Sequence, residues 1–408
     1  EPKPPPVKED VEIESCVETG CAFADSSPAV ADSQIERTLS LHAFGFRARE
    51  NRVLQALAED ATISFLGGDQ LLITFNAHPL IVRSQEESTH LASPRIIRAL
   101  LFSSTGNIIR AQDWRVPGEG AYLWPLDHGR VLVHVGGTLA VYGARLAVER
   151  QWTLPGELRF LRVSPSRNFI VAVVMRERHT PEQHRRLVQF VGPDHPVDED
   201  FELTLLNGRL HLENTRLLQT WPTLSEILDT GLILTQRGLE EHWTVAESTW
   251  EGKQRQIAHA SSGCPLHVET LPTNLILIVG CSLDKTRTWY KVVRANGKTL
   301  LDGNVSQNGL LEHADAPADA AVFAIGIAEA SHPVDFAQGI VASDLQSLSV
   351  SVYRISDGRR VFATRSTNGA INRQSFALNQ SGDRLAILSG EHVSVYRIDK
   401  PGFENPMQ

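Results

Sequence analysis

The sequence predicts an all-β fold: a seven-bladed β-propeller of four-stranded antiparallel blades, its ring closed by the N-terminal segment. Three observations predict it. A small or polar turn followed by a short apolar strand recurs seven times. A strand of clearer alternation follows each copy, and a more polar strand trails several of them. The last copy runs out of chain before a fourth strand.

The turn-and-strand unit reads "GGDQLLITF" (67–75), "DHGRVLVHV" (127–135), "PSRNFIVAV" (165–173), "LDTGLILTQ" (228–236), "LPTNLILIV" (271–279), "APADAAVFAI" (316–325) and "QSGDRLAIL" (380–388). At or just before each strand stands Asp69, Gly129, Asn168, Gly231, Asn274, Asp319 or Asp383. These types tolerate the left-handed backbone of tight turns. Apolar content with little alternation suits a strand covered on both faces, as when blades stack.

The next strand in each copy alternates: "PLIVRSQ", "TLAVYGA", "RLVQFVG", "HWTVAES", "WYKVVRA", "LSVSVYRIS" and "HVSVYRID". A polar strand such as "VERQWTLPG", "TRLLQTWP", "KQRQIAHA" or "RRVFATRST" then completes several blades. The copies stand about 52 residues apart from Leu71 to Leu385, against roughly 40–50 in common propeller repeats. Insertions account for the excess, among them "FELTLLNGRLHLEN" (201–214), read as an added hairpin turning at Asn207-Gly208. No long amphipathic helical pattern separates the copies, which argues against βαβ folds.

After "HVSVYRID" the chain ends in "KPGFENPMQ", with no fourth strand for the last blade. The N-terminal stretch 38–60, "TLSLHAFGFRARENRVLQALAED", has strand-like material to spare. Closing the ring with it removes two unpaired sheet edges; which part of 38–60 pairs is left open. The division is then a linker over 1–35, the propeller over 36–400 and a tail over 401–408. The first residues, "EPKPPPVKED", read as an extended, solvated tether following a removed leader.

The stretch "SFALNQSGDRLAILSGEHVSVYRI" (375–398) resembles one repeat of the WD40-like and YVTN-type propellers, in which a small-polar-Gly-Asp turn joins two inner strands. "FLRVSPSRNFIVAVV" (160–174) is a second match. The family's Trp-Asp and Gly-His dipeptides are absent, so the resemblance implies a platform without a particular activity.

Composition bounds the partners. A formal charge of −9 and a pI near 5.9, with no basic cluster, argue against a nucleic-acid partner. Uninterrupted apolar runs stop at about seven residues, whereas a membrane-spanning helix needs roughly twenty. The four cysteines form two local pairs. Cys264 and Cys281 bound a segment read as a hairpin turning at 271–274; a loop of two or four residues would set the two cysteines opposite each other, within disulfide range. Cys16 and Cys21 would close a small loop in the tail. An even, locally paired count points to an oxidising compartment, hence a periplasmic or secreted protein.

Catalytic signatures are missing: no nucleophile elbow, phosphate loop, dinucleotide fingerprint or two-histidine zinc helix occurs. "SLDK" (282–285) lacks the companion motifs of serine-x-x-lysine enzymes, and "EEHW" (240–243) spreads its groups over both faces of a strand start. Loops are more informative. The connections 176–185 and 327–347 are long and, with "CSLDKTR", would rise on one face. They would present His179, His184, Asp284, Lys285, Arg287, His332 and Asp335 around the channel mouth. The expectation is a monomeric, non-catalytic binding or scaffold propeller taking a protein or a small extracellular ligand. A lactonase-like hydrolase with a site at the channel mouth is the alternative. No cofactor is predicted, though a divalent cation in the channel is possible.

Overall fold

The computed structural model describes residues 35–46, 61–77, 94–118, 121–177, 199–218, 226–317, 321–334, 340, 344–367 and 374–398. Strand β1 (Ile35–Ser40) comes first. Blade one is β2 (Thr62–Leu66), β3 (Gln70–Asn76), β4 (Arg95–Phe102) and β5 (Ile108–Val116); blade two is β6 (Leu123–Pro125), β7 (Val131–Val135), β8 (Thr138–Tyr142) and β9 (Val148–Thr153). Blade three holds β10 (Glu157–Val163), β11 (Phe169–Glu177), β12 (Glu199–Asn207) and β13 (Leu212–Leu218). Blade four holds β14 (Glu226–Leu228), β15 (Gly231–Arg237), β16 (His242–Thr249) and β17 (Gln254–Ser261). In blade five are β18 (His267–Leu271), β19 (Leu275–Cys281), β20 (Thr288–Arg294) and β21 (Thr299–Asn304); in blade six, β22 (Gly309–Asp315), β23 (Val322–Ala330), β24 (Leu345–Arg354) and β25 (Arg360–Ser366). Blade seven is β26 (Phe376–Leu378), β27 (Arg384–Ser389) and β28 (His392–Arg397), completed by β1.

Closure thus comes from the first described strand. Strand β1 pairs antiparallel with β28, Thr38 opposite Ser394 and Ser40 opposite His392. The stretch 47–60, whose end resembles a sixth-blade strand, lies outside the described residues. Innermost strands touch their neighbours around the ring, β26 meeting β2 at the join.

Alternate residues of the two middle strands point to opposite blade faces, so apolar clusters form between neighbouring blades. Leu71, Ile73 and Phe75 of blade one meet Ala386, Leu388, Val393 and Val395 of blade seven. On its other face, Leu72, Ile97, Ala99 and Leu101 meet Val131, Val133 and Ala140. Among the described residues no such cluster spans blades three and four; there Arg162 Nε donates to Glu226 Oε1 at 2.6 Å and Ser166 Oγ to Asp229 Oδ1 at 2.6 Å.

The ring has two unlike faces. Turns joining first to second and third to fourth strands lie on one, here the turn face; connections from second to third strands lie on the other, the loop face. The turn residues partly follow expectation. Asp69, Gly129 and Asn274 take left-handed backbone, but in two blades the neighbours Arg167 and Gly382 do so, not Asn168 or Asp383. Gly231 has no positive φ; a Cβ there would lie 2.2 Å from the Ser248 carbonyl oxygen, so close approach demands it. Asp319 lies outside the described residues.

Two third strands differ from expectation. Blade one uses "RIIRALLF" (β4), and "PLIVRSQ" (79–85) lies outside the described residues. In blade three, 201–214 is no added hairpin: β12 and β13 are that blade's own outer strands. "RLVQFVG" (186–192) lies outside the described residues. Both expected segments are short alternating runs, a pattern they share with the strands that do pair.

Candidate functional site

The rim residues divide. Asp284, Lys285 and Arg287 lie on the loop face in the turn between β19 and β20, and His332 follows β23 of the next blade. Asp284 is engaged by its own loop: its Oδ1 accepts Ser282 Oγ at 2.5 Å and Thr286 N at 3.1 Å. The Ser282 bond, then the Thr286 bonds, hold its carboxyl below the usual aspartate range. Among the described residues no hydrogen bond or ion pair joins Asp284, Lys285, Arg287 or His332 to one another. His179, His184 and Asp335 lie outside the described residues, as do Cys16 and Cys21. The two long connections run over 178–198 and 331–344.

On the same face Cys264 and Cys281 form a disulfide, with Cα atoms 5.7 Å apart. The pairing was expected, but its register was not. The turn has three residues, 272–274, with Thr273 and Asn274 left-handed, which sets Leu271 opposite Leu275. Counted outward, Cys264 would miss Cys281 by one position. It reaches it because the chain leaves the ladder before β18, held by Gly263 N donating to the Cys281 carbonyl.

A cavity lies along the axis of the ring. About 380 Å³ in volume, it reaches from Ile63 and Gln374 to a mouth on the turn face, at Asp127, His128, Arg167 and Gln380. It opens away from the loops read as its rim.

Carboxylates ring the axis and stitch blade to blade. Ser375 Oγ donates to Glu312 Oε1 at 2.5 Å, Leu378 N to Asp315 Oδ2 at 2.7 Å, and Ala314 N to Glu269 Oε2 at 3.3 Å. Burial raises Glu226, an effect opposed by Arg162. Burial, reinforced by the neighbouring Glu226 charge, pushes Glu269 up to about 8. Asp315 is also raised by burial, against the Leu378 N–H and Arg167.

His313 stacks on Phe376, ring centroids 3.9 Å apart, in a slot that Gly326 leaves open; a Cβ on Gly326 would stand 2.3 Å from the Phe376 ring. The imidazole Nε2 lies 3.3 Å from the Phe376 carbonyl oxygen. Burial lowers this histidine to about 4, so it is neutral at pH 7. Its Nδ1 and the Oε1 of Gln374 are buried without a hydrogen-bond partner. Among the described residues no three His, Cys, Asp or Glu are grouped to hold a metal ion.

The outer rim of the turn face has a different chemistry. Of the large apolar side chains left exposed, Ile35, Ile108, Ile109, Val148 and Leu212 lie at the starts of fourth strands, and Trp250 lies in the last turn of blade four. Leu239 and Leu283 belong to the loop face. Exposed Arg110, Arg145, Arg150 and Arg209 are interleaved with them, against Glu36, Glu149, Glu213 and Glu251. From blade one to blade three the arc is continuous: β5 packs on the 144–146 turn, and Arg150 Nη1 donates to the Arg209 carbonyl at 3.3 Å. Sequence reading missed it because its members are far apart in the chain.

No protein family matches the sequence, and no curated protein does. Solved structures match at low identity. A chain of a mitotic checkpoint complex matches at TM-score 0.48 and 11% identity over 93% of this chain and 99% of that one. The Neurospora crassa Pan2 WD40 domain matches at 0.48 and 9% over 92% and 99%. An acylaminoacyl peptidase of Pyrococcus horikoshii matches at 0.49 and 9%, over 83% of this chain and 51% of that one. The seven-bladed ring stands on the chain's own strand pairing. At such identities the likeness extends to the fold alone.

Proposed function

We propose that this propeller is a non-catalytic binding platform acting outside the cytoplasm, and that it takes an acidic, partly apolar protein segment on the outer arc of its turn face. The arc carries the proposal. Ile108, Ile109, Val148 and Leu212 stand exposed beside Arg110, Arg145, Arg150 and Arg209, on a chain of net charge −9. Exposed apolar side chains grouped among like charges mark interaction surfaces, and arginine is enriched in their energetic centres. Charge complementarity selects an acidic segment. The Cys264–Cys281 disulfide supports an oxidising compartment.

The test is selection of displayed random peptides on the native protein and on Ile109→Asp/Arg150→Glu. Acidic, apolar-containing peptides that bind the native protein and lose about tenfold or more on the variant are expected. Peptides that ignore the variant would contradict the arc. The second reading is a hydrolase working in the channel, favoured by the displaced titration of Glu269. Hydrolysis of simple lactones that Glu269→Gln abolishes would establish it in place of the first.

A further inference from the structure

We propose that the axial cavity is a binding site for a small organic cation, an alkylammonium, held by His313 and Gln374 at the inner end of the channel. The inference is independent of the outer arc. His313 is nine-tenths buried, 9% exposed, and lines the cavity. With Nε2 beside the Phe376 carbonyl, that nitrogen carries the proton, which leaves Nδ1 an acceptor without a donor. Gln374 Oε1, on the wall of the same cavity, is a second acceptor without a donor. Unsatisfied buried acceptors cost about 1–3 kcal/mol each, so a ligand that brings N–H donors is favoured.

The surrounding charge selects a cation. Asp315 lies on the cavity wall and Glu312 next to it, its Oε1 accepting Ser375 Oγ, against Arg167, while Asp127 at the mouth pairs with Arg130. Phe65 and Phe376 give the walls an apolar and π-rich surface, which suits an ammonium on a short hydrocarbon chain. The cavity volume falls within the range of small-molecule sites, roughly 300–1,000 Å³. A metal ion fits less well, since no three ligands of suitable type are grouped among the described residues.

The chemistry is the same for a free amine and for a partner's lysine side chain, and two probes separate them: n-butylamine and a capped Gly-Lys-Gly peptide. Calorimetric titration of the whole protein should show saturable binding of at least one, with n-butanol, the neutral isostere of the amine, binding at least about tenfold more weakly. His313→Phe and Gln374→Leu, each verified as folded by its melting curve, should each weaken the amine or peptide by about tenfold. Absence of saturable binding by both probes at millimolar concentration, equal binding of butanol, or unchanged binding by both folded variants would overturn the site.

Discussion

Asn379 donates from Nδ2 to Oδ1 of Asp69 at 2.9 Å, across the join between the last blade and the first. The other oxygen of Asp69 accepts Arg384 Nη1 at 3.0 Å, and Arg384 Nε reaches Glu36 of β1 at 2.9 Å. One turn aspartate thus ties together blade one, blade seven and the strand that closes the ring. Asp69→Ala removes the common acceptor and should cost about 1–2 kcal/mol. Glu36→Ala, which breaks only a solvent-facing pair, should cost about 1 kcal/mol or less. Urea unfolding midpoints of the two variants test that order.

Closure by β1 predicts an abrupt dependence on N-terminal length. A protein lacking residues 1–30 should melt with the full chain. One lacking 1–41 loses β1 and Leu41, bares the edge of β28 and should aggregate or melt lower. Differential scanning calorimetry with light scattering distinguishes them; equal melting of both would contradict the closure.

The bond between Cys264 and Cys281 closes a loop of sequence separation 17. By chain entropy, a loop near that size stabilises by about 3 kcal/mol. Cys264→Ser/Cys281→Ser should lose most of that in urea unfolding, and a non-reduced digest of the native protein should yield the two cysteine peptides as one linked mass.

Stability should fall as pH rises from 6.5 to 8. Glu269 titrates near 8 when folded and at 4.5 ordinarily. Between those values the folded chain keeps a proton that the unfolded chain gives up, so this contribution is full below pH 4.5 and is lost as pH rises through 8. His313, lowered from 6.5 to about 4, has the opposite sign: its contribution is present above 6.5 and is lost as pH falls through 4. The two oppose each other only below pH 6.5. Glu269→Gln, which retains an acceptor for Ala314 N, should flatten the decline, as read from urea midpoints at pH 6.5 and 8.

The second strands were legible because each is a run of apolar residues behind a turn signal, as Leu275–Cys281 is behind Pro272–Asn274. The closing strand was legible as missing material, though its start at Ile35 was not. Some innermost strands escaped because they are only three residues long, such as Leu123–Pro125 and Glu226–Leu228, too short for any period to show. One of them carries Glu226, so its part of the channel chemistry stayed hidden with it. Blades one and three were misread for a different reason. An alternating run such as 79–85 has the same local pattern whether or not a neighbouring strand is there to pair with it.

The claim that the turn face is the binding face is tested most directly by amide hydrogen exchange of the whole protein with and without an acidic peptide selected on it. The account predicts protection at 108–116, 144–151 and 208–213, the segments that build the arc. Protection confined to 282–287 and 331–334 would instead place binding on the loop face and contradict it.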